Sequence, residues 1–141
     1  MANVSISAIV YTKLTSITAV TNVVSTRIWP SALPVDATYP AIAYEIVSMN
    51  RVQGMGGAGG TGTASGRVQI RVWSTAKTDV ETLATAIRVN LDMFSGTVSA
   101  TEVKAVLMQN EFDQDERDAS TGVTYYSKVQ EYEFWIGEST S

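Results

Sequence analysis

The chain of 141 residues contains no cysteine and no histidine. Without cysteine there is no disulfide framework, no thiolate zinc or iron–sulfur site and no thiol nucleophile. Without histidine the usual general base and the commonest metal ligand are missing. Serine and threonine hydroxyls are plentiful, but no imidazole is present to activate one and no G-x-S-x-G elbow to present one. Charged residues make up only 17% of the chain and proline only 3 residues. No apolar run approaches the ~20 residues that cross a bilayer, because Thr, Ser or a charge interrupts each one. Residues 1–14 lack a basic stretch followed by an apolar block, so no signal peptide is expected, and the protein is expected to be made and used inside a cell. These absences lead us to expect no enzyme: no catalytic residue, no cofactor, no metal site and no membrane partner.

Hydrophobic residues supply 45% of the sequence, enough for a folded core. The length suits one domain over residues 1–141, with residues 50–66 as a flexible hairpin loop and residues 138–141 as a polar tail. The net charge of −4 is unevenly spread. Residues 1–100 hold seven bases against five acids, and residues 101–141 hold three bases against nine acids. An acidic chain with an acidic end is poorly suited to gripping nucleic acid by its phosphates.

Periodicity divides the chain into elements. Val4, Ile6, Ala8, Val10, Tyr11 and Leu14 approach helical spacing, with Asn3 or Ser5 as candidate caps. A second short helical turn is expected over residues 17–24, weakened by its β-branched residues. Arg27-Ile28-Trp29-Pro30 reads as a brief extended piece, and residues 31–39 as a loop. Ile42, Tyr44 and Ile46 then share one face of a strand. Val68, Ile70 and Val72 alternate with Arg67, Gln69 and Arg71 in another, half-buried strand. Seven of the ten glycines lie between these two strands, which reads as a hairpin with a long flexible tip. Residues 76–94 form the clearest helix. Its apolar stripe is Val80, Leu83, Ala84, Ile87, Leu91 and Phe94, and its start is either a capping box at Thr78 and Glu81 or lies nearer Ser74 or Thr75. Gly96 is its expected stop. A strand over residues 102–112, with Val103, Ala105 and Leu107 on one side, and a closing strand over residues 123–136 complete the order. The expected fold is α+β: a mostly antiparallel four-stranded sheet with two main helices on one face and a long glycine-rich hairpin loop.

Three motifs invite chemistry. Gly54-Met55-Gly56-Gly57-Ala58-Gly59 spells G-x-G-x-x-G. A dinucleotide fingerprint needs a strand before it and a helix after it, and here a strand follows. The remaining readings are a disordered loop or a loop that orders against a partner. Glu111, Asp113, Asp115, Glu116 and Asp118 form an acidic run. It lacks the turning glycine and the spacing of a calcium loop, and it reads as a solvated turn, a surface that repels DNA or, remotely, a carboxylate site. Arg67, Arg71 and Trp73 share one strand face, with Arg51 at the hairpin base. That is either ordinary solvent surface or, since Arg and Trp favour interfaces, a contact patch.

Several pieces in sequence order resemble a known family. They are Arg27-Ile28-Trp29-Pro30 followed by Leu33-Pro34, Tyr39-Pro40-Ala41-Ile42-Ala43-Tyr44, and Arg67-Val68-Gln69-Ile70-Arg71-Val72-Trp73-Ser74. A helix ending Leu91-Asp92-Met93-Phe94-Ser95-Gly96 follows, then Asp115-Glu116-Arg117-Asp118 and a closing strand with Phe134-Trp135-Ile136. From residue 26 onward this layout resembles the tail-completion, or tail-terminator, proteins of long-tailed bacteriophages, also described as head–tail joining proteins. The glycine-rich insert is longer than the family pattern, so its role is not carried over.

The resemblance implies a structural virion protein. Its subunits form a ring, typically a hexamer, which caps the tail tube, stops its polymerisation and offers the surface to which the filled head attaches. DNA passes through the lumen without specific binding. The implied partners are further copies of the chain, the tail tube protein and the head-closure or connector protein. The implied place is the head-proximal end of the virion tail, after assembly in the cytoplasm of the bacterial host. A head-to-tail ring needs two different patches on each subunit. The sheet's exposed face and edge strands can supply one and the first helix another. On this reading Arg51, Gly54, Met55, Gly57, Gly60, Arg67, Arg71 and Trp73 belong to subunit or partner interfaces. Glu111, Asp113, Asp115, Glu116 and Asp118 face the lumen. The alternatives are a head-closure, neck or tail tube protein of the same virion and, remotely, a metal-dependent enzyme using the carboxylates of residues 111–118.

Overall fold

The computed structural model describes residues 6–25, 27–31, 33, 38–52, 61–98 and 101–139. Helices α1 (Ile6–Thr15) and α2 (Thr18–Val24) come first. Ile6, Ile9, Val10 and Leu14 of α1 and Val20 and Val24 of α2 are buried, so α2 forms despite its β-branched residues because packing outweighs propensity. Strand β1 (Ile28–Pro30) lies parallel to β2 (Ala41–Val52), with Ile28 beside Ile42. Arg27 fixes that junction: its Nε donates to the Pro40 carbonyl at 2.9 Å and its Nη2 to the Val23 carbonyl at 3.0 Å.

Strand β2 forms a hairpin with β3 (Thr61–Ser74). Helix α3 (Lys77–Leu91) and the short strand β4 (Gly96–Val98) follow. A second long hairpin is made by β5 (Thr101–Asp113) and β7 (Thr124–Ser139). The two-residue strand β6 (Glu116–Arg117) continues the line of β5 along β7. The strand order is β1-β2-β3-β7-β5-β4.

The sheet corrects the expectation of a mostly antiparallel four-stranded one. It has seven strands, is mixed because β1 runs parallel to β2, is strongly curled and carries three helices, so the protein is largely β. Strands β1 and β4 have three residues each and β6 two, too short for a period of two to show. The first hairpin is also longer than expected: the ladder includes Arg51↔Ala64 and Val52↔Thr63, and β3 begins at Thr61. Only residues 53–60 of the glycine-rich stretch lie outside the described residues.

Alternation in β5 departs from a simple period of two. Register shifts between Val103 and Ala105 and between Met108 and Asn110 reset its parity. Val103 and Val106 are therefore buried, while Leu107 is exposed. In α3, Val80, Leu83, Ala84, Ile87 and Leu91 face the sheet, as the stripe requires. Its start falls between the two expected positions, with Ala76 as N-cap and no side-chain cap bond; just before it, Ser74 Oγ accepts from the Ala76 N–H at 3.1 Å and donates to Asp79 at 3.4 Å. The helix stops before Gly96, at Asp92, and Met93 takes a left-handed φ of 66°.

The core lies between the helices and one face of the sheet, where Ile42, Tyr44, Val68, Ile70, Val72, Tyr132, Phe134 and Ile136 meet Leu14, Leu83 and Ile87. Leu83→Ala or Ile87→Ala, each removing a fully buried side chain, should destabilise the domain by roughly 2–5 kcal/mol in urea unfolding. A second site tests how α1 seats on the sheet. A methyl group added at Gly66 would collide with Ile6 Cδ1 and lie 2.8 Å from Met49 Sδ. Gly66→Ala should lower the melting temperature, and adding Ile6→Val, which removes that Cδ1, should recover part of the loss.

Candidate functional site: an interaction face and an acidic hairpin

The unbroken alternation of β3 turns Arg67, Gln69, Arg71 and Trp73 away from the core. Glu45 of β2 and Glu131 and Glu133 of β7 stand beside them in register: Glu45↔Gln69↔Glu131 and Arg67↔Glu133. Gln69 Nε2 donates to Glu131 Oε2 at 3.3 Å. Toward one end this face sinks into a cavity of about 440 Å³. Ala43, Glu45, Gln69, Arg71 and Trp73 line it from the sheet, Ser31, Leu33 and Tyr39 from the chain before β2, and Glu116 and Tyr125 from the second hairpin.

The cavity is aromatic and carries one cation. The Tyr39 and Tyr125 rings meet with centroids 5.1 Å apart at a 46° tilt. Burial, then Tyr125 and Glu116, push the Tyr39 hydroxyl pKa above its ordinary value. The Arg71 guanidinium sits 5.5 Å from the Trp73 ring centroid. Its Nε is buried and meets no hydrogen-bond acceptor among the described residues. Aromatic and arginine side chains in a concave site are the usual anchors of protein–protein contacts. Chemically the site offers donors, a cation and flat apolar walls. Among the described residues no three His, Cys, Asp or Glu side chains converge as a metal site, and no helix is long and apolar enough to cross a membrane.

The five acids of the second hairpin are placed together, but most of them have internal work. Glu111 Oε2 accepts from Gln130 Nε2 at 2.7 Å. Gln130 is fully buried, also donates to the Ala84 carbonyl of α3 at 2.9 Å, and accepts from the Tyr132 hydroxyl at 2.9 Å. Burial, with Glu111 and Asp92 nearby, raises the Tyr132 pKa and keeps that hydroxyl a donor. Asp113 meets Lys77 at 3.3 Å and Lys128 at 3.3 Å, and Glu81 meets Lys128 at 3.1 Å and Lys77 at 3.7 Å. This square of charges ties the start of α3 to both strands of the hairpin.

Between β5 and β6, Asp115 Oδ1 accepts from the Ser127 N–H at 3.2 Å, and Ser127 Oγ donates to the Gln114 carbonyl. At the turn, Asp118 Oδ1 accepts from the Ser120 N–H at 2.9 Å and its Oγ–H at 2.7 Å, bonds that lower the Asp118 pKa. Gly122, at φ 75°, closes the turn by donating its N–H to the Asp118 carbonyl at 2.7 Å. Glu116 alone among the five lines the cavity.

Of the residues expected at interfaces, Arg67, Arg71 and Trp73 share one face, with Arg71 and Trp73 half-buried in the cavity. Arg51 sits in β2 opposite Ala64, and its side chain is outside the described set. Gly54, Met55, Gly57 and Gly60 lie outside the described residues. Sequence reasoning missed Tyr39, Tyr125, Lys77, Lys128 and Gln130, which come together only through the sheet register. The one visible signal was Lys128 and Gln130, polar residues at the positions of β7 that alternate in step with Tyr132, Phe134 and Ile136.

Two comparisons with known proteins found matches. Residues 8–137 match the family model described as Tail completion protein gp17. Among solved structures, a chain of the "Virion of native gene transfer agent (GTA) particle" superposes with a TM-score of 0.63 at 13% identity, covering 92% of each chain. Likeness at that identity shows a shared fold. No curated protein matches the sequence.

Two outcomes follow from the site. Arg71→Ala and Trp73→Ala should lower the urea midpoint less than Leu83→Ala does, because both side chains are only half-buried on the face away from the core. The second concerns acid stability. Burial alone would raise the Asp113 pKa, but the hydrogen bonds and charges of Lys77 and Lys128 outweigh it and hold the carboxyl below its usual range. A depressed folded-state pKa contributes stability that is present above the unfolded value of about 3.9 and lost as pH falls through the folded one. Asp113→Asn should therefore reduce stability modestly at pH 7, the pairs being half-exposed, and narrow its gap from wild type near pH 3.

Proposed function

Because the chain belongs to the tail completion protein family, matched over residues 8–137, we propose that it is the ring-forming subunit that closes the head-proximal end of a tail tube. Family membership makes it a structural protein of a phage-type virion tail. The ring, the capping and the passage of DNA are our reading. In that reading copies assemble in the bacterial host, typically six to a ring. The ring halts growth of the tube protein and offers the head-closure or connector protein a surface to join. The chemistry of the subunit is contact and surface charge, without catalysis.

The observation that carries this reading is the opposed direction of the two hairpins. Strands β2 and β3 leave their ladder beyond Val52↔Thr63 at one end of the sheet, where β3 begins opposite Ser139. Strands β5 and β7 lead to the turn beyond Arg117↔Thr124 at the other end. The 14 residues of β3 separate the two ends, roughly 45 Å for an unbent strand. A subunit with two unlike ends gives a ring two unlike faces, as a part joining tube to head requires. The exposed arginine–tryptophan face and its cavity then take a partner in the tail or neck. The acidic hairpin, being one of those two ends, faces the lumen at its mouth, where Glu111, Asp115, Glu116 and Asp118 keep DNA from adhering; Asp113 adds little, since two lysines neutralise it.

The test is tube growth in vitro. Added to the polymerising tube protein of its own particle, the chain should stop elongation at one end and appear there as a single ring in negative stain. Tubes that elongate unchanged, or that incorporate the chain along their length, would contradict capping; the latter would identify a tube subunit. The lumen assignment is tested separately, because Asp115 and Asp118 also shape the hairpin. Asp115→Asn, Glu116→Gln and Asp118→Asn together remove charge but keep the acceptors. Particles carrying them should keep normal tails and deliver DNA more slowly, and unchanged delivery would move the hairpin out of the lumen.

A further inference from the structure

We propose that successive copies of this chain join edge to edge, the free stretch of β2 at residues 45–52 pairing antiparallel with the free stretch of β5 at residues 109–113 on the next copy. The inference rests on the ring reading above and names the contact that builds the ring.

Strand polarity is the first support. The four long strands stand side by side as β2, β3, β7 and β5, each antiparallel to the next. With an even number in alternation, the two outer long strands run in opposite directions. Copies related by a rotation keep the same orientation, so β2 of one copy meets β5 of its neighbour antiparallel. The alternation then passes unbroken from copy to copy. An odd number of strands would force a parallel joint, which is slightly less stable per residue.

The second support is that both edges are covered only in part. Strand β1 pairs with Ile42, Ala43 and Tyr44, and the Ser31 N–H takes the Tyr44 carbonyl. Past Tyr44, no backbone hydrogen bond on that side is made by β2 to another described residue. On the opposite edge, β4 pairs with Thr101, Glu102 and Val103. The Met93 N–H donates to the Val106 carbonyl at 2.7 Å, and Asp92 Oδ1 accepts from the Met108 N–H at 3.0 Å. From residue 109 onward the described residues place no strand on that edge, and the Glu111 N–H donates to the neighbouring Asn110 side chain at 3.0 Å. A row of unpaired backbone donors and acceptors is a template for another strand.

Exposed apolar side chains stand along both edges. Trp29 (39% exposed) and Val47 (52%) flank the first, and Met93 (76%) and Phe112 (40%) the second. The two patches are unlike, as a head-to-tail contact between identical subunits needs. Each free stretch also contains a register shift, at Val47 in β2 and at Gln109 in β5. Bulges bend and twist an edge, so the joint is short and each copy turns relative to the last, which favours closure over a flat, open-ended sheet.

The absence of cysteine gives a clean test. Val47→Cys and Ser48→Cys on β2, and Gln109→Cys and Phe112→Cys on β5, are made singly and in the four cross-edge pairs. The full chain is oxidised mildly and run on a non-reducing gel, with mass photometry of the unmodified chain alongside. At least one pair should cross-link into a ladder that ends at the copy number of the ring, while every single variant stays uncross-linked. If no pair cross-links although the unmodified chain forms a closed oligomer, the edge contact is wrong and the ring reading stands. Cross-linking by a single variant would show a two-fold contact and overturn the head-to-tail joint. A chain that stays monomeric at every concentration overturns both.

Discussion

Strand β3 pairs with β7 along its whole length, from Thr61↔Ser139 to Ser74↔Tyr126, with no register shift, while the pairings that flank this ladder both slip. Because the period of a strand is two, the unbroken ladder sends Val68, Ile70, Val72, Tyr132, Phe134 and Ile136 to one side and Arg67, Gln69, Arg71 and Trp73 to the other. A slip of one residue would exchange the two sets and place arginines in the core. The three helices close over the first set. Gln69, Arg71 and Trp73 of the second set line the cavity. The opposed hairpins follow as well, since each long hairpin contributes one strand to this ladder and leaves it in the opposite direction.

The acidic hairpin shows how a charge run acquires a second meaning once it is folded. In sequence it is a cluster of like charge and nothing more. In the fold Asp113 joins two lysines, Asp115 replaces a ladder bond at the break between β5 and β6, and Asp118 holds the turn. Glu111 reaches a buried glutamine that also anchors α3. These bonds stiffen a projecting hairpin that has little core of its own. The same carboxylates that present negative charge to solvent therefore also fix the shape that presents it.

Elements with a sustained period were legible in the sequence. The stripe from Val80 to Leu91 and the alternation from Arg67 to Trp73 follow from side-chain geometry alone. The curled, mixed sheet was not legible. Strand β1 exists because Arg27 pins the junction of α2 with β2, and β4 because the turn at Asp92 and Met93 returns the chain to β5. Residues 27–30 could be read as extended, but the parallel pairing of β1 with β2, like the whole of β4, leaves no pattern of its own. Parity in β5 was misjudged for the same reason, since a bulge at Lys104 is invisible until its partner strand is known. Arg67, Arg71 and Trp73 could be placed on a common face, but the cavity around two of them depends on Tyr39, just before β2, and Tyr125 of β7, brought together from the two strands that flank β3.

The proposed closing ring between tube and head draws on a subunit with unlike ends, unlike edges and a charged hairpin. The most direct measurement is a cryo-electron reconstruction of the particle that carries this chain. The account predicts one closed ring of this chain at the head-proximal end of the tail tube, with the sheets running continuously around it. Density for the chain elsewhere in the particle, or repeated along the tube, would contradict it.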